Sequence, residues 1–279
     1  MTTDSHVEAA EAYEFTDSAD PPHDEIPVPL GLLHVAAYDH LWRASAVAVV
    51  EPSDYGAWKH TYRKGLCWQR PDSPLGYAMK ALRRELISRG YGEDTIKPDV
   101  SCLGTSFGAA VRALQTDDGL TSDGTLGYST AHALYAPRIA QSANDQGFPS
   151  KDPGPRLLHG VLDLESGIDP AATGPSPDLG MAQIVLRFAP GITEEQAYSP
   201  EFAIPWAARK LRYGHDHCGN SWQAGVVSYN VGVALAADWA AAGLPAEGGP
   251  TITVGGTEYP AWQWCTLYWS VAKHRAQIF

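Results

Sequence analysis

Cysteine, long apolar runs and positive charge are all scarce in this chain of 279 residues. The four cysteines, Cys67, Cys102, Cys218 and Cys265, contain no CxxC pair, which is too sparse for a zinc finger or a disulfide scaffold. Cys218 and Cys265 fall in the same half of the chain; they either pair in an oxidising compartment or stay as free buried thiols. No window approaches the roughly 18 consecutive apolar residues of a membrane span, so no membrane insertion is expected. Lys and Arg number 20 against 32 Asp and Glu, and none of the 20 lies in residues 1–28. That deficit leaves no basic surface for nucleic acid. The opening MTTDSHVEAAEAYEFTDSADPPHDE also lacks the positive start and apolar core of a secretory signal. P-loop and HExxH strings are absent, which removes the usual signatures of NTPases and zinc proteases.

What is present divides the chain. A hydrophobic content of 44% with 19% charged residues is that of a soluble globular protein with room for about two domains. Residues 1–28 carry eight acidic side chains, the composition of a disordered tail. Residues 29–72 mix apolar runs with an aromatic stretch and read as an accessory segment of unassigned role. Residues 73–138 read as helix, loop, helix, turn, helix. Met79, Leu82, Leu86 and Ile87 recur at helical spacing, and Gly90 is placed to end that helix. Gly119 is placed to end the second helix, Asp123-Gly124 to make the turn, and Ser129 to cap a short last helix, Ser129 to Tyr135. The string AVRALQTDDGLTSDGTLGYSTAHAL, preceded by ALRRELISRGYG, resembles the repeat of the peptidoglycan-binding domain 1 family, a three-helix wall module. Residues 139–154, rich in Ser, Asn, Asp, Gly and Pro, have the composition of a linker. Residues 155–279 read as mainly helical.

The segment RLLHGVLDLESGIDP carries the chemistry. Leu157, Leu158, Val161 and Leu162 form the buried stripe of a helix, with His159 and Asp163 on its other side, and Glu165 continues the stripe. Gly167 and Pro170 then stop the helix. A carboxylate at the buried C-terminal end of a helix is desolvated and feels the negative end of the macrodipole. Both effects hold it protonated near neutrality, as a glycosidic general acid requires.

Downstream come Asp178-Leu179-Gly180-Met181-Ala182-Gln183, then SPEFAIPWAARKLR, then NSWQAGVVSYNVG. With the preceding Glu165-Ser166, this ordered series resembles the ES, GLMQ and AYN motifs of the soluble lytic transglycosylases, in the lysozyme-like superfamily. The resemblance implies a mainly α fold, a wall-binding-like three-helix module followed by a lysozyme-like α(+β) catalytic domain, with no cofactor or metal. It implies Glu165 as catalytic acid/base, hydrogen-bonded by Tyr229, with Gln183 beside the scissile sugar. It also implies that Ser166, Gly180, Met181 and Asn230 shape the substrate cleft. The middle motif departs from the family as GMAQ and the last as SYN, while Pro205 should kink or shorten the helix Pro200–Leu211. Asn220 or Ser221 can cap the next helix, on which Trp222, Val226, Tyr229 and Val233 share a face.

Two mechanisms stay open. In the family's scheme one carboxyl protonates the leaving oxygen, the substrate's acetamido group stabilises the cation, and the 6-hydroxyl closes an anhydromuramoyl end. If Asp178 or Asp169 activates water instead, the enzyme is a muramidase; for Asp178 the plainer reading is a loop Asx turn. A third alternative is a structural tail protein with a degenerate lysozyme-like domain. His215-Asp216-His217-Cys218 is spaced too tightly for a tetrahedral metal site and reads as a loop between helices. The C-terminal Trp262, Trp264, Tyr268 and Trp269 suit one helix side and read as core rather than sugar platforms. A wall-cutting sequence without a secretory pattern resembles a bacteriophage lysin. The expected partner is bacterial peptidoglycan, with other tail proteins if the chain travels on a virion; its expected place is the host cytoplasm until release, or the tail.

Overall fold

The structure is a computed structural model, and residues 62–67, 70–92, 95–97, 102–151, 154–174, 178–242, 250–254 and 257–278 are described. The acidic tail 1–28 and nearly all of the accessory segment 29–72 lie outside the described residues. Among the described residues there are nine α-helices and two short antiparallel hairpins. We label the helices α1 (Pro74–Ser88), α2 (Thr105–Asp117), α3 (Tyr128–Asp145), α4 (Gly154–Ser166), α5 (Glu194–Ala197), α6 (Pro200–His217), α7 (Trp222–Val231), α8 (Val233–Ala242) and α9 (Ala261–Ile278). Strands β1 (Asp178–Leu179) and β2 (Ile184–Val185) form one hairpin, β3 (Thr251–Val254) and β4 (Thr257–Pro260) the other. The expected mainly α class is what the chain adopts.

The helix ends follow the glycine pattern. After α1, Gly90 (φ +83°) donates to the Ile87 carbonyl at 2.9 Å and Tyr91 to that of Leu86 at 2.8 Å. After α2, Gly119 and Leu120 donate to Thr116 and Gln115 in the same register, at 3.2 and 2.7 Å. Both are Schellman closures, which need a residue in the left-handed region. The next two expectations fail. The N-cap of α3 is Gly127, not Ser129, and α3 continues to Asp145 through the stretch expected to be linker. Ile139, Ser142 and Ala143 are buried there, so packing of one helix face overrides a turn-like composition. Pro205 leaves α6 unbroken as a single assigned helix; its ring sits in the first two turns, where few intrahelical bonds are lost. Ser221 caps α7, accepting from the Ala224 amide at 3.2 Å.

One apolar cluster runs without interruption from Tyr62, Met79 and Leu82, through Leu157 and Leu162, to Trp264 and Tyr268. The segment 62–67 is pinned beside it: Tyr62 pairs with Leu126, and Cys67 is disulfide-bonded to Cys102. The bridge therefore joins the two cysteines not considered as partners, and Cys218 and Cys265 are both buried thiols outside any disulfide.

At the centre lies α4. Every residue from Leu157 to Pro170 is buried, so the polar side of this helix is enclosed as fully as its leucine stripe. Gly160 makes this possible on the α9 side, because a Cβ there would lie 2.3 Å from the Ala272 carbonyl oxygen. Asp163 supplies the buried charge that gathers neighbouring helices. Its Oδ1 accepts from the Tyr128 hydroxyl at 2.8 Å and lies 3.1 Å from His132 Nε2, both on α3. Its Oδ2 pairs with Arg275 on α9. The His132 contact is an ion-pair distance without the alignment of a hydrogen bond. Behind it, His132 Nδ1 meets His159 Nε2 at 2.6 Å, and burial, then the neighbouring His132, pushes His159 down to about 3. His159 is thus kept neutral.

Removing one member of a buried ion pair strands the other. Asp163→Asn should cost about 3–5 kcal/mol of unfolding free energy in urea titration. A loss below about 1 kcal/mol, the typical worth of an exposed pair, would mean that Asp163 does not hold α3 and α9 to α4.

Candidate active site

Glu165 stands on the last turn of α4, 2% exposed. Its Oε1 accepts a 2.5 Å hydrogen bond from the Tyr268 hydroxyl of α9. Burial pushes its carboxyl up to about 8; the Tyr268 bond and Lys210 pull down, and nearby Asp178 pushes up. Desolvation wins, and the group is a protonated acid at neutral pH.

The GMAQ motif forms the four-residue turn of the first hairpin, between Asp178↔Val185 and Leu179↔Ile184 pairs. Gly180 is required here on two counts. Its φ is +68°, and a Cβ would fall 2.0 Å from the Ala197 carbonyl oxygen. Gln183 takes φ +47°, an uncommon region for a side-chain-bearing residue and one that clusters at functional sites. Two hydroxyls hold this turn, one from the end of α4 and one from α7. Ser166 Oγ donates to the Met181 carbonyl at 2.9 Å, and Tyr229 Oη donates to the Ala182 carbonyl at 2.7 Å. Gln183 Nε2 donates to the Gly180 carbonyl at 2.8 Å, and its Oε1 is buried without a hydrogen-bond partner among the described residues.

The sequence-derived site residues therefore converge, with one exchange of roles. Tyr229 was expected to bond the glutamate; it bonds the turn, and the phenol on Glu165 is Tyr268. Tyr229 nevertheless lies close enough for the Glu165 charge, after burial, to raise its own pKa. Met181 is buried at 1% exposure and packs the core beneath the turn. Asn230 Oδ1 accepts from Trp264 Nε1 at 2.8 Å, tying α7 to α9, while its Nδ2 is buried without a partner among the described residues.

Asp178 lies on β1 at 2% exposure, and neither carboxylate oxygen has a hydrogen-bond partner among the described residues. It makes no Asx turn. Burial pushes it up to about 7 against the pull of Arg187 and Lys210. A Cβ on Gly174 would meet Asp178 Oδ2 at 2.4 Å and Gln183 Oε1 at 2.9 Å, so these acceptors flank one glycine. Asp169, the other carboxylate weighed as a water activator, is occupied: its Oδ1 accepts from Tyr62 Oη and the Ala171 amide, each at 3.0 Å.

Sequence reasoning overlooked two contributors. Tyr268 was grouped with the C-terminal aromatics as core, and it is core, with its hydroxyl on the acid. Lys210 was unremarked; its ammonium lies 4.9 Å from the Tyr229 ring centre and 5.3 Å from that of Trp206. The His215–Cys218 string is the last turn of α6 and its cap rather than a loop, with His215 and His217 bonded to Asp216 and the Tyr213 carbonyl. No group of three metal-binding side chains occurs among the described residues.

Residues 150–243, about a third of the chain, match the profile of the Transglycosylase SLT domain family. The match takes in Glu165, the hairpin and SYN, and supports kinship with the lysozyme-like lytic transglycosylases. It ends before α9. No curated protein matches the chain.

The elevated Glu165 has a consequence for stability. Its pKa in the folded chain lies above the ordinary 4.5, so the stability it confers is complete below that value and is lost as pH rises through about 8. Glu165→Gln cannot ionise and escapes the loss. Thermal melts should show the variant gaining on the wild type between about pH 4.5 and 8, and level thereafter. A constant offset across that range would mean that Glu165 is not raised.

Proposed function

We propose that this protein cleaves the glycan strands of bacterial peptidoglycan by the lytic transglycosylase route, with Glu165 as the general acid and base. The observation that carries the reading is a buried carboxyl, kept protonated at neutrality, at the end of the helix that the SLT match covers. Glu165 donates its proton to the glycosidic oxygen of the leaving sugar as the C1–O bond breaks. The substrate's own acetamido oxygen stabilises the positive charge at C1. The new carboxylate, held by Tyr268, then removes the proton of the 6-hydroxyl, whose oxygen closes on C1 to give the anhydromuramoyl end. Glu165 is thereby reprotonated, and no water is consumed.

Ser166 and Tyr229 act through the turn they bond, keeping Gly180 to Gln183 beside the acid. Gln183 offers its free Oε1 to a sugar hydroxyl or amide N–H. A setting as a bacteriophage lysin, free or tail-borne, and wall affinity in the helices 74–145 belong to the same proposal.

One observation favours a second reading. Asp178 is a buried carboxylate with two unused oxygens, the form of a base that could hold and deprotonate a water. That route yields reducing ends. On purified sacculi, Glu165→Gln should lower clearing by a factor of about 10²–10⁴. Equal clearing by variant and wild type would end the catalytic assignment and leave a non-catalytic wall or tail protein. Mass spectrometry of the released muropeptides separates the two routes. Products lighter by one water, still formed by Asp178→Asn, fit the transglycosylase route. Reducing ends that vanish in Asp178→Asn overturn it in favour of the muramidase.

A further inference from the structure

The site holds two buried carboxyl groups, Glu165 and Asp178, whose charges act on each other. A general acid next to a second carboxyl works only if the pair's protons are allotted correctly. The groups facing Glu165 are Tyr268 from α9, Tyr229 from α7, Asp178 from β1 and Lys210 from α6. Those facing Asp178 are Glu165 from α4, Arg187 from the single turn Leu186–Phe188, and Lys210 from α6. Lys210 is the group common to both carboxyls that carries positive charge.

Its placement is built. Trp206 and Lys210 are one turn apart on α6 and share a face. The Trp206 ring meets Tyr229 edge to face, with centroids 6.2 Å apart at 80°. The Lys210 ammonium lies over both rings, a cation–π seat that fixes its direction. Tyr229 in turn is anchored through its hydroxyl to Ala182, within the turn that ends at Gln183. The cation is thus attached, through one aromatic ring, to the loop that lies beside the acid.

We propose that Lys210 is a positioning residue of this site, an ammonium seated on Trp206 and Tyr229 that favours the ionised form of the carboxyls beside it. It stabilises the Glu165 carboxylate formed when the proton leaves, and acts on Asp178 in the same direction. The inference rests on Glu165 being the acid of the cleavage reaction.

The test is the pH dependence of initial clearing rates on purified sacculi for the wild type, Lys210→Met and Lys210→Arg, with Glu165→Gln as control. Removing a nearby cation raises Glu165, so the limb on which clearing falls as Glu165 ionises should move to higher pH by roughly one unit in Lys210→Met. Lys210→Arg keeps the charge and the ring contacts and should restore the wild-type limb. A fall in rate at all pH values with that limb unmoved would mean that Lys210 is only packing, and would overturn the inference. So would a Lys210→Arg profile shifted as far as that of Lys210→Met. If wild-type clearing does not depend on Glu165, the functional reading fails instead, which the control reports separately.

Discussion

Burial of α4 on every side is the constraint on which the rest of the molecule depends. A helix enclosed in this way must have each polar group met by a partner, or the desolvation is uncompensated. Asp163 meets its need with Tyr128, His132 and Arg275, drawn from helices on either side in sequence. The same enclosure, two residues further on, removes water from Glu165 and gives it the acidity of a neutral-pH proton donor. The pairing of Asp163 and the raised pKa of Glu165 are therefore two results of one burial, the first compensated by Arg275, the second only partly offset by Tyr268 and Lys210.

The helices before α4 belong to that enclosure. They share its apolar cluster, and contacts such as Arg84 with Glu201 at 3.1 Å and Tyr62 with Asp169 at 3.0 Å cross from α1 and the segment 62–67 to the region around the site. Whatever affinity for the wall those helices possess, they also supply one side of the environment of α4.

Much of the site was legible because its residues lie in short ordered strings whose local geometry is encoded nearby. Glu165-Ser166 ends a helix at a glycine, GMAQ makes a turn, and SYN lies on a helix capped by Ser221. The glycine closures of α1 and α2 were legible for the same reason. What escaped was long-range. Tyr268 reaches Glu165 across 103 positions, and nothing around it distinguishes a core tyrosine from one whose hydroxyl touches the acid. Tyr229 was given that bond by the family resemblance, although its hydroxyl satisfies a backbone carbonyl of the turn. Lys210 left no trace, since an ammonium on a helix usually faces water and only the assembled rings show otherwise. The stretch 139–145 misled for the opposite reason: local composition spoke for a linker, and burial against the neighbouring helices decided for a helix.

The late position of α9 carries a consequence for synthesis. A nascent chain that has reached Ala242 already contains the whole SLT-matched segment up to its last residue, yet Arg275, the counter-charge of Asp163, and Tyr268, the donor to Glu165, have not been made. Until they are, the central helix cannot be closed over without leaving an unmatched charge inside. The central helix therefore gains its full set of partners only when Arg275, in the last turn of α9, has been made.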